Sequence, residues 1–238
     1  MTGQTIGGRI DALPWAEMGT QLAERGYARA GPLLTPTECQ ALVRLFGDDR
    51  RFRSTVEMAR HRFGEGRYRY FAYPLPRLVG DLRRQLYPRL VPIANAMMAE
   101  MRRPHRYPGR LEEFLSDCRA AGQCRPTPLL LGYEAGGYNR LHRDLYGELL
   151  FPLQAVLCLS RPGRDFEGGE FLLVEQSPRM QARAEAIRPG QGEIVVFPTA
   201  ERPVAGKRGF HRAQMRHGVS RVQSGHRHTL GIIFHDAA

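Results

Sequence analysis

Residues 226–234 read HRHTLGIIF, and the alternation of their side chains predicts a β-strand with two different faces. Side chains two apart in a strand project from the same face of a sheet. Arg227 and Thr229 would therefore share one face, whereas Leu230 and Ile232 would share the other. The face with Leu230 and Ile232 is apolar and is expected to be buried. Arg227 would then project from the opposite side of the sheet.

Other short apolar runs come before this strand, all after residue 126. Turn signals such as GG, RPG and RPGQG separate them. The runs are PLLLGYEA, LLFPLQAVLCLS, GEFLLVEQ and EIVVFP. No helical crossover falls between the runs, which disfavours a parallel α/β sheet and favours a double-sheet jelly roll.

The first half of the chain carries helical signals instead. In TPTECQALVRLF, Thr35 stands at an N-cap position and Glu38 completes a capping box. The other predicted helices are a long helix or helix pair over 78–101, interrupted near Pro88 and Pro92, and a helix over 111–121. We therefore predict an α+β fold in one continuous domain. A mainly helical region over 1–126 braces a double-stranded β-helix (jelly roll) core over 127–238.

Composition indicates a globular protein with a strong positive charge. Of 238 residues, 35 are Lys or Arg and 24 are Asp or Glu, which gives a net charge of +11. This charge would attract phosphate backbones, but it is almost all arginine spread along the chain, so it supports a nucleic-acid partner only weakly. The four cysteines form no C-x-x-C pair, and the sequence has neither a long apolar run nor a leader pattern. We expect a cytoplasmic protein with free thiols and no membrane partner.

The stretch YNRLHRDLYGE, residues 138–148, places His142 and Asp144 two apart. In a strand, an imidazole and a carboxylate at that spacing can reach one metal ion. Chance alone supplies about one such pair in a chain of this composition, so a third ligand is needed. His217 is the candidate. Two histidines and one carboxylate leave open positions on an octahedral ion, an arrangement suited to non-haem Fe(II) and oxygen chemistry.

Arg227 stands ten residues after His217 in the sequence. A guanidinium that faces the interior of a barrel needs an anionic partner, and its planar fork binds a carboxylate through two hydrogen bonds. A dicarboxylate cosubstrate would supply that partner.

Six motifs together resemble those of the Fe(II)/2-oxoglutarate-dependent dioxygenases, and most closely the prolyl-hydroxylase-like branch. In chain order they are Y-x-x-G-G from Tyr133, H-x-D from His142, F-x-G-G-E from Phe166, P-G-x-G-x-x-x-x-F from Pro189, H-x-V from His217 and G-x-R-x-T from Gly225. The similarity covers residues 127–236. The stretch RYRYFAYPLPRLVGDLRRQLYPRLVPIAN resembles an uncharacterised bacterial subgroup of this superfamily, which has been labelled by similarity as acting on damaged DNA.

This resemblance implies an enzyme whose catalytic metal ligands are His142, Asp144 and His217. The cosubstrate-binding residues that it implies are Arg227 for the distal carboxylate of 2-oxoglutarate, with Thr229 and Tyr133. The implied cofactors are Fe(II), 2-oxoglutarate and O2, with ascorbate as an accessory reductant. The implied reaction couples oxidative decarboxylation of 2-oxoglutarate to succinate with hydroxylation of a protein residue, an amino acid or another small molecule.

Rival assignments of the metal ligands remain open at this point. His211 precedes Arg221 by ten residues and is a rival third ligand, although Val219 completes the motif only after His217. His226 and His228 share a strand face and could bind metal in a cupin of similar shape. That pair has no nearby glutamate in the sequence.

Two alternative functions also remain open. The first is oxidative demethylation of damaged nucleic acid. GRYRYFAY, residues 66–73, interleaves arginine with tyrosine and could stack bases, although an amphipathic strand with exposed arginines would look the same. Arg221 and Arg227 resemble the arginine pair of alkylation-repair dioxygenases, but they stand too close to His217 for that family. The second alternative is a non-catalytic jelly roll or cupin-like module that binds metal or ligand without turnover.

Overall fold

In the computed structural model, which describes residues 4–207 and 209–238, two antiparallel sheets pack face to face and helices cover one of them. The helices are α1 (Ile6–Asp11), α2 (Trp15–Arg25), α3 (Pro36–Leu45), α4 (Arg77–Glu100) and α5 (Leu111–Ala120). The strands are β1 (Ala28–Ala30), β2 (Phe52–Glu57), β3 (Gly64–Glu65), β4 (Arg67–Phe71), β5 (Leu129–Tyr133), β6 (Tyr138–His142), β7 (Leu153–Cys158), β8 (Phe166–Gly168), β9 (Phe171–Gln176), β10 (Arg183–Ile187), β11 (Ile194–Pro198), β12 (Glu201–Gly206), β13 (Gly209–Val219), β14 (Val222–Gly225) and β15 (Arg227–Ile232).

Strand order gives the two layers of a double-stranded β-helix. The larger sheet runs β1-β11-β7-β15-β5-β4-β2, and the smaller runs β10-β9-β13-β6-β3 with β12 paired to β13. The pairings within both sheets are antiparallel. The predicted α+β fold with a jelly-roll core is confirmed.

The central strands of the larger sheet are buried on both faces. In β11, Ile194 and Val196 pack towards the helices, whereas Val195 and Phe197 pack between the sheets. Each such side chain contributes about 1.5–3 kcal/mol by leaving water. Strand β15 has the two faces that its sequence predicts. Its apolar residues join the helix-side core, and its other face lines an internal cavity.

Helix α3 begins at the predicted capping box. The Oγ1 of Thr35 accepts a hydrogen bond from the Glu38 amide at 3.2 Å, and Oε2 of Glu38 accepts one from the Thr35 amide at 2.8 Å. The box satisfies two backbone donors that a helix start would otherwise leave unpaired.

Helix α4 is one continuous helix, so the predicted interruption near Pro88 and Pro92 is wrong. Each proline removes one backbone hydrogen bond to the carbonyl four residues before it. Both prolines and Arg84 are exposed and lie four residues apart along one side of the helix. The freed carbonyls therefore face solvent, where water satisfies them, and the buried side of the helix stays intact.

Arg83 joins α4 to the chain that follows β15. Its Nε donates to the Ile233 carbonyl at 2.9 Å, and its Nη2 donates to the Phe234 carbonyl at 3.0 Å and to Asp236 at 2.8 Å. Arg83 and Asp236 are both almost fully buried. This network holds the end of the strand that begins with Arg227.

Residues before 127 also supply strands to the larger sheet, namely β1, β2 and β4. Of the two arginines of GRYRYFAY that were expected to be exposed, Arg67 is exposed but Arg69 in β4 is buried. It donates to the Phe46 carbonyl and to Thr55, and it pairs with Asp49. These partners come from preceding segments that the local sequence pattern does not reveal. Within the described residues, no helix is both long and apolar enough to cross a membrane.

Candidate metal and cosubstrate site

Strands β6 and β13 bring two histidines together across the smaller sheet. His142 ends β6 and lies directly opposite His217 of β13 in the strand register. Their ring centroids are 4.3 Å apart. Side chains opposite one another on neighbouring antiparallel strands share a face, so the pairing alone explains why both rings enter the same cavity.

Asp144 lies two residues beyond the end of β6, in an irregular segment, rather than within the strand. The strand-face argument for His142 and Asp144 is therefore wrong, although the two side chains still converge. Asp144 Oδ1 lies 3.6 Å from His142 Nε2, and Asp144 Oδ2 lies 3.2 Å from His217 Nε2. One potential ligand atom from each residue lies within 4.8 Å of the others, and no other such group of three occurs in the described part of the chain.

Neighbouring groups fix the orientation of both imidazoles. His142 Nδ1 lies 2.7 Å from the Arg140 carbonyl and can only donate to it, so the tautomer leaves Nε2 with a free lone pair. The His217 ring packs against Phe171 and Phe197, at centroid distances of 5.9 and 4.9 Å. These contacts restrict ring rotation, which favours a preformed set of ligands.

The electrostatics of the cluster suit a divalent cation. Burial raises the pKa of Asp144, but His217, His142 and the Tyr146 hydroxyl outweigh it and hold that pKa well below its usual range. Burial, followed by the neighbouring His217, lowers the pKa of His142. At neutral pH the site therefore holds an ionised carboxylate beside a neutral His142, which are the forms that bind metal.

A pair of tyrosines supports Asp144, and sequence reasoning missed it. The Tyr146 hydroxyl donates to Asp144 Oδ1 at 2.5 Å, and the Tyr70 hydroxyl donates to the Tyr146 oxygen at 2.9 Å. These hydrogen bonds occupy Oδ1 of Asp144 and leave its Oδ2 turned towards His217. Tyr146 follows Asp144 by two residues and could have been suspected, but Tyr70 lies 76 positions from Tyr146 and gave no signal.

The proposed cosubstrate residues meet on β5 and β15, on the cavity side of the larger sheet. Arg227 lies directly opposite Tyr133 in the strand register, and the guanidinium carbon lies 5.5 Å from the tyrosine ring centroid. Thr229 is buried on the same face of β15. All three of these predicted residues line the cavity that holds the histidines.

Arg227 and Tyr133 carry buried polar atoms without partners. Among the described residues, Nε and Nη1 of Arg227 and the hydroxyl of Tyr133 have no hydrogen-bond partner. Burial raises the pKa of Tyr133 to about 12, so the hydroxyl is a donor at neutral pH. Unpaired buried donors are costly. Their presence together fits a bound carboxylate as the missing acceptor.

Gly169 makes room for Arg227, a role beyond the tight turn that its sequence predicts. It has a φ of +62°, and a Cβ there would lie 2.8 Å from Arg227 Cδ and 2.9 Å from Val222 Cγ2. Any larger residue would thus press on the arginine stem.

The cavity between the sheets has a volume of about 390 Å³, within the range of ordinary ligand sites. His142 and His217 enter it from the smaller sheet, Arg227 enters it from the larger sheet, and tyrosines of β4 also line it. The residues that line it are Arg62, Phe63, Tyr68, Tyr70, Leu129, Leu131, Tyr133, Asn139, Arg140, Leu141, His142, Arg143, Asp144, Tyr146, Gln154, Ala155, Val156, Phe171, Phe197, His217, Gly218, Val219, Arg227, Thr229 and Gly231.

The rival ligands lie elsewhere. His211 lies six residues before His217 on β13, about 20 Å along an extended strand, and its Nε2 lies 3.1 Å from Ser177 Oγ. Arg221 donates to the Gly136 carbonyl at 2.9 Å. His226 and His228 line a separate cleft and belong to no candidate metal cluster in the described residues.

Comparison with known proteins gives a family match over most of the chain. A family model described as an oxygenase catalysing oxidative methylation of damaged DNA matches residues 66–237. Two uncharacterized proteins, from two strains of Mycobacterium tuberculosis, are each 49% identical to this chain over 168 residues, which is 71% of this chain and 72% of theirs.

Solved structures share the fold at low sequence identity. A prolyl-4-hydroxylase of Pseudomonas putida has a TM-score of 0.56 at 15% identity, over 94% of this chain and 100% of that chain. A prolyl hydroxylase of Trichoplax adhaerens, solved with a peptide fragment of hypoxia inducible factor, has a TM-score of 0.55 at 16% identity, over 99% and 94%. A 2OG-Fe(II) oxygenase family oxidoreductase of Burkholderia pseudomallei has a TM-score of 0.50 at 19% identity, over 94% and 93%.

Proposed function

We propose that this chain, which belongs to the oxygenase family described as catalysing oxidative methylation of damaged DNA, is an Fe(II)- and 2-oxoglutarate-dependent oxygenase that acts on nucleic acid. Its membership of the 2OG-Fe(II) oxygenase superfamily, with a prolyl-hydroxylase-like fold, confirms the resemblance seen in the sequence motifs. The proposed reaction is the one predicted from the sequence. Decarboxylation of 2-oxoglutarate to succinate is coupled to oxidation of a second substrate.

One observation carries the proposal. A two-histidine, one-carboxylate cluster and a buried arginine with unpaired donors line the same cavity. In the proposed assignment His142, Asp144 and His217 hold the metal. The donor set fits Fe(II), because imidazole nitrogens and one carboxylate on one side of the ion leave the other side open to ligands.

The proposed cosubstrate site lies on the β5 and β15 side of the same cavity. Arg227 binds the distal carboxylate of 2-oxoglutarate, Thr229 assists it, and the Tyr133 hydroxyl donates a further hydrogen bond. When bound, Fe(II) supplies the activation of O2 that oxidises both 2-oxoglutarate and the substrate. The chain's own contribution is to orient both groups and to keep water from the cavity between the sheets in which they meet.

The family description favours nucleic acid, which the sequence suggested as an alternative, over a peptide or small molecule as the substrate. The charge of +11 is consistent with that preference.

We further propose that residues 1–126 form a support region for the core over 127–238, and that both belong to one domain. The proposal also includes a cytoplasmic location, which the four free cysteines support.

The test is whether nucleic acid stimulates 2-oxoglutarate turnover. Purified protein with Fe(II) and 2-oxoglutarate is mixed with single-stranded oligonucleotides that carry methylated bases, with unmethylated oligonucleotides, or with proline-containing peptides, and succinate is measured. The proposal predicts stimulation by the methylated oligonucleotides, with formaldehyde released in proportion to succinate. Stimulation by peptides alone would contradict the nucleic-acid substrate.

A further inference from the structure

An exposed loop of alternating basic and aromatic side chains stands at the mouth of the cavity. We define the rim loop as residues 60–63, which read RHRF. The rings of His61 and Phe63 stack at a centroid distance of 5.4 Å and an angle of 21°, and Phe63 is 47% exposed. A stacked aromatic pair in water leaves one ring face open to a further ring.

The rim loop is tied to the strand that carries His142. The Phe63 carbonyl accepts a hydrogen bond from the Arg140 amide at 2.8 Å, and Gly64 pairs with Asn139. A Cβ at Gly64 would lie 2.2 Å from the Tyr138 carbonyl oxygen, so only glycine permits this close approach. The aromatic face is therefore held beside the metal cluster rather than free to swing away.

Arg62 adopts a left-handed backbone conformation, with a φ of 59°. This conformation is uncommon for a long side chain and costs free energy. Hydrogen bonds from the amides of Arg62 and Phe63 to the carbonyls of Ala59 and Met58 hold it, and Met58 is fully buried. The turn presents Arg62 and Phe63 on the lining of the cavity together.

The arginines around the mouth are available to an anionic ligand. Arg60, Arg62, Arg140 and Arg143 are exposed, and none of them forms an ion pair with a carboxylate of the described chain. Of these four, Arg143 also donates to Gln214 Oε1 at 2.6 Å. Guanidinium groups that lack a carboxylate partner, beside an open aromatic face, match the phosphates and bases of a single nucleic-acid strand.

From this geometry we infer that the rim loop is a stacking platform for single-stranded nucleic acid. A base next to the target stacks on Phe63, its phosphates face Arg62 and Arg140, and the target base enters the cavity. This inference rests on the proposed function and specifies how its substrate is held. It predicts a preference for single strands, because a paired base does not expose its face to Phe63.

The experiment measures binding of a fluorescein-labelled twelve-nucleotide thymidine strand by anisotropy at several salt concentrations. Phe63→Ala is expected to weaken binding at least about fivefold, whereas Phe63→Trp should retain it. Arg62→Asn introduces a residue that tolerates the left-handed backbone conformation, so the turn is kept. Because one phosphate contact is lost, the slope of log affinity against log salt should fall by about 0.7. Phe210→Ala is the control, because Phe210 is equally exposed, at 50%, but does not line the cavity.

Binding that is the same in wild type, Phe63→Ala and Phe210→Ala would overturn the rim-loop inference alone. Displacement of the oligonucleotide by an equal concentration of polyglutamate of the same length would also overturn it, because the surface would then favour acidic peptides. If the wild type releases succinate but does not bind the strand, both this inference and the nucleic-acid substrate fail while the oxygenase assignment stands.

Discussion

Arg227 shows at the scale of one residue how structure points to a ligand. Its side chain is only 1% exposed, yet Nε and Nη1 have no partner among the described residues. Leaving such donors unpaired in a protein interior costs several kcal/mol. Gly169 has no side chain, which leaves room for the stem of Arg227. A ligand carboxylate in the cavity would supply this guanidinium with an acceptor.

Arg227→Ala should therefore raise the concentration of 2-oxoglutarate needed for half-saturation by about 100-fold, because two charge-assisted hydrogen bonds are lost. Calorimetric titration of 2-oxoglutarate into Mn(II)-loaded protein checks this. Arg221→Ala, a surface arginine bound to the Gly136 carbonyl, is the matched control and should not change the affinity. Unchanged saturation in Arg227→Ala would refute the assigned role.

Tyr146→Phe should weaken divalent metal binding by about 10-fold, because the variant no longer fixes Asp144 through Oδ1. Anaerobic titration with Co(II), followed by its absorption bands, measures affinity without requiring turnover. Tyr68→Phe is the matched control, since Tyr68 lines the same cavity but has no hydrogen bond to Asp144 in the described structure. Equal affinities for the two variants would show that the tyrosine does not position the ligand.

Individual site residues were predictable from the sequence only where a motif preserved their spacing. His142, His217 and Arg227 stand in short ordered motifs, and the structure places all three on one cavity. The position of Asp144 beyond the strand end depends on a local irregularity that the spacing does not encode. Tyr70 contacts the site only through the folded arrangement of β4 against the loop after β6.

At the scale of elements, the buried strands and helices α3, α4 and α5 could be predicted, whereas helices α1 and α2 and the polar strand β6 were not predicted. β7, β11 and β15 are apolar on at least one face and stand out in the sequence. β6, with the sequence YNRLH, has no buried residue. Because β6 has no hydrophobic pattern, the sequence does not indicate that it pairs with β13. Only the structure shows this pairing.

Arg83→Ala tests the joint between α4 and the end of β15. Removing the arginine leaves Asp236 buried without its ion pair, which should cost about 3–5 kcal/mol in the free energy of unfolding. Urea denaturation measures the change. Arg84→Ala on the same helix is the control and should cost less than about 1 kcal/mol, since its pair with Asp81 is half exposed. Similar midpoints for the two variants would contradict the structural role of the buried pair.

For the whole molecule, stability should decline in mild acid because the fold buries a neutral histidine. The Phe151 amide donates to His235 Nδ1 at 3.2 Å, so that nitrogen carries no proton in the native state. Burial, followed by the charge of Arg83, lowers the pKa of His235 to about 3. The unfolded chain binds this proton near pH 6.5, so stability is lost as pH falls from there towards 3.

His235→Asn, which keeps an acceptor for the Phe151 amide, should remove this part of the acid sensitivity. The wild type is expected to lose about 3 kcal/mol more than the variant between pH 7 and pH 4. Urea denaturation across that range gives the difference, with the exposed His226→Asn as control. Parallel pH profiles for wild type and His235→Asn would contradict the account.

The central claim is that His142, Asp144 and His217 form the metal site of a 2-oxoglutarate-dependent oxygenase. The most direct measurement reconstitutes the protein with Fe(II) under anaerobic conditions, adds 2-oxoglutarate, admits air and quantifies succinate. Wild type and His211→Ala should both release succinate slowly, whereas His142→Ala and Asp144→Ala should release none above protein-free controls. Equal succinate release by wild type and by both triad variants would contradict the claim.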